Sequence, residues 1–254
     1  MPKLNEIVAA LDEAYPFEGA CSYDNVGLLV GHKDKEIKRV LVALDVTSAV
    51  IEEAKSQGAD LILSHHPVIF RELKKITEDS YTGWLVLELI EKGLAAVALH
   101  TNFDRAEKGN NDALAALLGA TEYERLEEGF ASAFDLPEEV SFDDFALSVR
   151  ESLGDSVIRT IGGGQVKKVI TACGAGISEE LIFLAKQTGA VIVTGDVKHN
   201  YATMARDLGV RLVETTHYGS EWVFTDRIVN YLTEHFATLE VFVSQKNINP
   251  YDIA

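Results

Sequence analysis

The segment Ala59-Asp60-Leu61-Ile62-Leu63-Ser64-His65-His66-Pro67 places two adjacent histidines directly after a short apolar run. Such a run is typical of a buried β-strand, and open α/β sheets bind their ligands at the carboxyl ends of strands. Side chains need not alternate at the frayed tip of a strand, so both imidazole rings can face one cleft. The pair can equally consist of one core and one surface histidine, and the rest of the chain decides between these interpretations.

The residues before this segment complete a βαβ unit. Arg39–Leu44 is a second apolar run, and Thr47 or Ser48 can cap a helix that continues to Lys55 and ends at Gly58. A strand, a helix and a strand in this order predict two parallel neighbouring strands. The other predicted elements are a helix that ends before residue 16, strands at 27–31, 94–99 and about 131–136, and helices over 84–92, 110–118 and about 141–153.

The composition is that of a soluble globular protein of one or two domains, with 254 residues, 47% of them hydrophobic and 25% charged. Lysine and arginine total 23 against 40 acidic residues, which gives a formal charge of −17. This charge repels phosphate backbones and disfavours nucleic-acid binding. Bound divalent cations would reverse the sign locally.

Cysteine content and hydropathy indicate the cellular compartment. Cys21 and Cys173 are too few for a disulfide framework or a thiolate zinc site. The N-terminal residues do not resemble a signal peptide, and no apolar run reaches the roughly 18 residues that a membrane span needs. We therefore expect a cytoplasmic protein that is not inserted in a membrane.

One sequence pattern occurs twice along the chain. Lys38–Ala43 resembles Lys167–Ala172, and each is followed by a helix with paired glutamates and then by a further apolar strand. Any two α/β sequences align loosely, but here clusters of polar residues recur at the equivalent strand ends. The sequence thus predicts an α/β fold of two related halves from an internal duplication, residues 1–120 and 121–254, which form one compact unit.

Five of the seven histidines follow predicted strands, and acidic residues lie close to them in sequence. These histidines are His65, His66, His100, His199 and His217. Asp104 stands four residues after His100, and Glu221 stands four after His217. Positions i and i+4 share one face of a helical turn, so His217 and Glu221 can reach a common metal ion. Nitrogen and carboxylate donors without sulfur suit Zn, Mn, Fe, Co or Ni.

Three or four of these ligands would hold one divalent ion. Five or more, with a carboxylate able to bridge, indicate two ions a few ångströms apart, as in hydrolases that activate water between metals. The individual residues also have simpler interpretations. His100 can be a core histidine or a residue that orients a ligand, and Asp104 can cap the following helix. Asp196 and His199 can start a helix, with contact to a ligand or a substrate favoured over ligation. Asp24-Asn25 is more readily a turn than a site.

Five polar segments carry a similarity to known proteins: Asp24-Asn25-Val26-Gly27, Ser64-His65-His66-Pro67, His100-Thr101-Asn102-Phe103-Asp104, Gly195-Asp196-Val197-Lys198-His199 and His217-Tyr218-Gly219-Ser220-Glu221. Together they resemble the GTP cyclohydrolase I type 2 homolog family, also called the Ngg-interacting-factor-three-like proteins, over essentially the whole chain.

The resemblance implies an α/β fold of two related halves, a pair of divalent metal ions in the cleft between them, and a toroidal homohexamer. The metal ligands that it implies are His65, His66, Asp104, His217 and Glu221. Some longer relatives carry a domain inserted between the halves, for which this chain has no room, so functions of that domain do not transfer.

These observations favour a metal-dependent hydrolase of a small, nucleotide-like or phosphorylated substrate, in which His100 or His199 moves protons. The alternative is a non-catalytic metal-binding or metal-delivery protein that serves as an interaction scaffold. DNA binding is disfavoured by the charge. GTP ring opening itself requires a purine pocket, which the sequence does not identify.

Overall fold

Two β-sheets form the centres of two separate units in the structure, a computed structural model that describes residues 1–252. Unit 1 consists of Met1–Ala106 and Phe224–Ile248. Unit 2 consists of Glu107–Val223 together with residues 249–252. The α/β class predicted from the sequence is confirmed.

The described residues alternate between strands and helices along most of the chain. The strands are β1 (Gly27–Val30), β2 (Arg39–Ala43), β3 (Leu61–Ser64), β4 (Ala95–Ala98), β5 (Glu124–Leu126), β6 (Ala131–Ser141), β7 (Arg159–Ile161), β8 (Gln165–Ala172), β9 (Val191–Thr194), β10 (Arg211–Glu214) and β11 (Glu240–Val243). The helices are α1 (Leu4–Ala14), α2 (Ser48–Ser56), α3 (Tyr81–Glu91), α4 (Thr101–Asp104), α5 (Asn110–Leu117), α6 (Phe142–Leu153), α7 (Glu179–Thr188), α8 (His199–Leu208), α9 (His217–Glu221) and α10 (Val223–His235).

The sheet of unit 1 has the strand order β1-β4-β3-β2-β11. The strands β2, β3 and β4 are parallel because α2 and α3 form the crossovers between them, and β1 closes one edge antiparallel to β4. Ser64 pairs with Ala98 in the register of β3 and β4. The residues that follow these two strands therefore leave the same edge of the sheet side by side.

The sheet of unit 2 has the strand order β5-β6-β8-β9-β10-β7. Here β8, β9 and β10 are parallel, with α7 and α8 as the crossovers, and β7 closes one edge antiparallel to β10. Ala172, Thr194 and Glu214 are aligned at the carboxyl ends of the three parallel strands. The two sheets thus share the arrangement of four strands, and they differ beyond β2 and β8, where β11 is parallel and β6 antiparallel.

The grouping into units differs from the predicted division at residue 120. Leu114 and Ala115 on α5 pack in one core with Phe134 and Val169, so this helix belongs to unit 2. At the other end of the chain, β11 pairs with β2 and thereby returns to unit 1. The sequence repeat predicts the parallel strands of each sheet. The positions of α5 and β11 depend instead on contacts between residues that are distant in the sequence.

Two predicted helix starts coincide with side-chain caps. Thr47 accepts a hydrogen bond from the Val50 backbone at the start of α2, and Ser141 does the same at the start of α6. The strand β6 is longer than predicted: it continues past Pro137 to Ser141, with an irregular register in that region. The short strands β5, β7 and β11 have partly or largely exposed side chains, so no hydrophobic pattern marks them.

Among the helices of residues 1–252, none has both the length and the apolar composition needed to cross a lipid bilayer.

The core of unit 1 provides a test of the packing. Ile62 on β3 is fully buried between α2 and α3 in a cluster with Val50, Ile51 and Leu89. We expect Ile62→Val to lower the free energy of unfolding by about 1 kcal/mol, and Ile62→Ala to lower it by about 2–5 kcal/mol because of the larger cavity. Urea denaturation followed by circular dichroism measures both values. An alanine variant as stable as the wild type would show that this packing is incorrect.

Candidate metal centre

The two adjacent histidines follow β3 in unit 1 and differ in burial. His65 is fully buried, and its Nδ1 lies 2.8 Å from the carbonyl oxygen of Leu99. His66 is partly exposed, and its Nδ1 lies 2.8 Å from Oδ1 of Asp45, which follows β2. Both oxygens are acceptors, so each Nδ1 carries a proton, and in the neutral ring each Nε2 presents a lone pair.

His100 joins this pair from the end of the neighbouring strand. Its Nδ1 lies 2.9 Å from Oδ1 of Asp24, so its Nε2 also presents a lone pair. One ring nitrogen from each of His65, His66 and His100 lies within 4.8 Å of the others. The parallel pairing of β3 with β4 produces this cluster, and three imidazole donors at such spacing can hold a divalent metal ion.

Asp104 contributes a carboxylate to the same part of unit 1. It ends the single helical turn α4, and its Oδ1 lies 3.4 Å from Nε2 of His65. The simpler interpretation of Asp104 as a cap of α5 does not agree with the structure, because Gly109 occupies the N-cap position of that helix.

His217 and Glu221 lie on one face of α9 in unit 2, as their spacing predicts. Nε2 of His217 lies 3.0 Å from Oε2 of Glu221, and Nδ1 of His217 lies 2.7 Å from Oδ2 of Asp196. Asp196 follows β9, and its carboxylate accepts this hydrogen bond and so holds the imidazole of His217 in its orientation. The Glu221 side chain is buried, with 4% of its surface exposed.

The donor atoms of these pairs are arranged so that they could hold a cation. In a neutral ring with its proton on Nδ1, Nε2 of His217 and Oε2 of Glu221 are two electron-pair donors 3.0 Å apart, and a proton or a metal ion between them removes their repulsion. The pair of His65 with Asp104 repeats this arrangement in unit 1. A divalent metal ion, which takes electron pairs from both donors, suits such pairs of nitrogen and oxygen.

Two glycines allow the close packing around Glu221. Gly174 follows β8 with φ +56°, and a Cβ atom there would overlap Oε1 of Glu221 and lie 3.2 Å from Cε1 of His217. Gly195 follows β9, and a Cβ atom there would lie 2.7 Å from the carbonyl oxygen of Gly174. Gly195 begins one of the five polar segments, whereas Gly174 was missed, because its only signal in the sequence is a glycine shortly after a buried strand.

Asp24 is a part of the site rather than an ordinary turn residue. Its side chain is fully buried and accepts hydrogen bonds from the His100 ring, the backbone N–H of Thr101 and the hydroxyl of Thr101. Burial alone would raise the pKa of Asp24, but these hydrogen bonds outweigh it and hold the pKa well below its ordinary value. The signal for this role was present in the motif Asp24-Asn25-Val26-Gly27.

His199 occupies a different environment from the other histidines of the site. It is exposed at the first residue of α8 and is absent from the groups of metal donors found in residues 1–252. Its assignment to proton transfer stays a prediction.

A cavity of about 270 Å³ opens beside His217 in unit 2. Arg159, Asp196, Tyr218 and Tyr251 are among the residues that line it. Arg159 forms an ion pair with the buried carboxylate of Glu214, which also accepts a hydrogen bond from the backbone of Val197. The cavity combines aromatic surface with charged groups of both signs next to a candidate metal ligand.

Substitution of Gly174 tests the close packing at Glu221. We expect Gly174→Ala to displace Glu221 and to weaken divalent-metal binding by at least about tenfold. Gly189→Ala is the matched control, because Gly189 has φ +69° and open space around it, so both variants strain the backbone and only the first meets Glu221. Titration calorimetry measures both affinities. Equal affinities in the two variants would exclude a role for this contact.

The acid sensitivity of metal-free protein tests the buried carboxylate of Asp24. Because its pKa is lowered on folding, its stabilising effect is present above the unfolded value of about 4 and is lost as the pH falls below it. The wild type and Asp24→Asn differ in their free energy of unfolding. We expect this difference to decrease by up to about 1.4 kcal/mol per pH unit as the pH falls from 4 to 2. Urea titrations in the presence of a chelator measure it, and a constant difference would contradict the lowered pKa.

Comparison with known proteins agrees with the fold. A family model described as Duf34/NIF3 (NGG1p interacting factor 3) matches residues 2–250. A Clostridium perfringens protein named "GTP cyclohydrolase 1 type 2 homolog" is 31% identical over 261 residues, covering 98% of this chain and 99% of that protein. A Helicobacter pylori protein named "GTP cyclohydrolase 1 type 2" is 31% identical over 222 residues, covering 87% and 88%.

The solved structures include a similar fold over the full length of the chain. A hypothetical protein from Staphylococcus aureus has a TM-score of 0.90 at 28% identity, covering 99% of both chains. The family match extends over almost the whole sequence, and the fold agrees with it. The chain therefore belongs to the Duf34/NIF3 (NGG1p interacting factor 3) family.

Proposed function

We propose that the protein is a metal-dependent hydrolase that holds two divalent ions and acts on a small, nucleotide-like substrate. The proposed ligands are His65, His66, Asp104, His217 and Glu221. In this proposal the ligands of both units serve the same pair of ions, and the two units arose by duplication of one α/β unit. The shared arrangement of four strands in the two sheets supports the duplication.

A single observation carries the proposal: each unit sets an imidazole Nε2 against a carboxylate oxygen while the Nδ1 of the same ring is bound to an oxygen acceptor. This holds for His65 with Asp104 and for His217 with Glu221. A fixed tautomer leaves Nε2 as the coordinating atom, which is the usual way in which a hydrogen-bond partner orients a histidine ligand.

Divalent ions, when bound, supply Lewis-acid activation of water and of the bond to be cleaved. The protein contributes the orientation of the donors and a group that carries protons. His100 fits this second role, because Asp24 fixes its ring and its nitrogen lies within 4.8 Å of those of His65 and His66. An aspartate that accepts from Nδ1 stabilises the imidazolium that forms when Nε2 takes up a proton.

The cavity beside His217 supports a substrate of modest size. Its volume of about 270 Å³ suits a small molecule, and the rings of Tyr218 and Tyr251 offer surfaces on which a planar group can stack. The relatives named for GTP cyclohydrolase 1 type 2 motivate the choice of nucleotide-like compounds.

Metal content and hydrolysis measured on the same preparations test the proposal. We expect Glu221→Gln and His66→Ala to lose most of the bound metal. Because hydrolysis depends on the metal, we expect the rate at which these variants hydrolyse the nucleotides of a test panel to fall at least about a hundredfold. His235→Ala is the control, because His235 is exposed on α10 and outside the proposed ligands. Elemental analysis and product chromatography provide the two measurements. Hydrolysis that persists in metal-free wild-type protein would refute the proposal.

Metal delivery is a second candidate function, and the exposure of two proposed ligands favours it. The side chains of His66 and His217 are 27% and 33% exposed, so an exchanging chelator can reach them. Tight metal binding with rapid exchange and no turnover in the same panel would identify this function. A ring-shaped hexamer, as proposed from the family resemblance, would then serve as the scaffold.

A further inference from the structure

Asp24 clamps the turn that leads from β4 into α4. Its Oδ2 accepts hydrogen bonds from the Thr101 hydroxyl and from the Thr101 backbone N–H, the latter at 3.0 Å. Its Oδ1 accepts from His100 Nδ1 and from the Asn25 backbone. Thr101 is the first residue of α4, and Asp104 is the last. The carboxylate therefore fixes both the His100 ring and the start of the helical turn that presents Asp104.

Asp155 makes the corresponding contacts in unit 2. It is 8% exposed, and its Oδ2 accepts from the hydroxyl of Thr215 and from the backbone N–H of Thr216 at 3.0 Å. Its Oδ1 accepts from the hydroxyl of Thr216 at 2.5 Å, and that hydroxyl accepts in turn from the Gly219 backbone. Thr216 is the N-cap of α9, the helix that carries His217 and Glu221.

The two aspartates occupy matching places in the two sheets. Asp24 lies three residues before β1, and Asp155 lies four residues before β7. β1 and β7 are the antiparallel strands that pair with β4 and β10. The turns that Asp24 and Asp155 hold come directly after β4 and β10. Each carboxylate accepts from the backbone N–H and the hydroxyl of the same threonine, Thr101 or Thr216.

We infer that Asp24 and Asp155 are a matched pair of positioning residues, each of which holds the turn that presents the metal ligands of its unit. This inference rests on the proposed metal binding. Neither aspartate belongs to the proposed ligand set. A buried carboxylate that receives several hydrogen bonds fixes the donors around it, and loss of such an outer partner typically lowers metal affinity by about 10–100-fold.

The isosteric variants Asp24→Asn and Asp155→Asn test the inference in the full-length protein. An amide keeps the size of the side chain but replaces one acceptor oxygen with an NH₂ group, which cannot accept from the threonine. We expect each variant to bind Co²⁺ about 10–100-fold more weakly than the wild type in a calorimetric titration. At saturating Co²⁺ we expect a changed visible absorption spectrum, because the geometry of the ligands changes.

Matched controls separate positioning from a general loss of an aspartate. Asp12→Asn removes a carboxylate that accepts from the Phe17 backbone in unit 1, and Asp144→Asn removes one that accepts from the Ser141 hydroxyl in unit 2. Both control sites are exposed and distant in sequence from the proposed ligands. We expect wild-type affinity and spectrum in both controls.

If Asp24→Asn does not fold, a milder variant tests the positioning role of Asp24. Thr101→Val removes the hydroxyl donor but keeps the backbone N–H, and we expect an intermediate loss of Co²⁺ affinity with an unchanged circular dichroism spectrum. If the role is purely structural, the metal-free variants have a lower melting temperature, but their absorption spectrum at saturating Co²⁺ is that of the wild type. This result would overturn the inference.

The outcome also distinguishes this inference from the proposed function. If the wild type binds Co²⁺ and the folded variants bind it equally well, the positioning role is wrong and the metal-binding proposal stands. If neither the wild type nor the two control variants bind Co²⁺, the proposed function is wrong and the positioning role fails with it.

Discussion

The parallel register of neighbouring strands is the constraint on which the rest of the structure depends. In unit 1, Ser64 is aligned with Ala98, and in unit 2, Thr194 is aligned with Glu214. A crossover helix returns each strand to the same starting edge, so the polar residues that follow the strands emerge together. A shift of one residue would turn every strand side chain to the other face and separate these groups.

Much of the fold was predictable because its signals are local. The buried strands β3, β4 and β9 are short apolar runs, Thr47 caps α2 as one of the two predicted candidates, and α6 begins close to its predicted start. The return of β11 to β2 was not predictable, since a four-residue strand with one largely exposed and three partly buried residues has no distinctive pattern. Only the contact between distant parts of the chain defines it.

The candidate site shows the same division between local and distant information. The i, i+4 spacing of His217 and Glu221 is a local signal and agrees with their geometry on α9. Asp24 contacts His100 across 76 residues, and Gly174 approaches Glu221 across the gap between β8 and α9, so neither role follows from local spacing. A buried carboxylate in a polar motif is the kind of residue that sequence reasoning assigns to a turn.

The burial of Asp24 and Glu221 explains why these two carboxylates need compensating partners. The chain carries a formal charge of −17, and in solution most of its carboxylates can remain exposed without partners. Asp24 and Glu221 are buried instead, where an ionised carboxylate is stable only if hydrogen bonds or cations compensate the loss of water. For Asp24 the backbone and hydroxyl donors of Thr101 supply that compensation within the protein. For Glu221 the ring nitrogen of His217 lies 3.0 Å from Oε2, where a proton on that nitrogen or a metal ion between the two atoms can compensate the carboxylate charge.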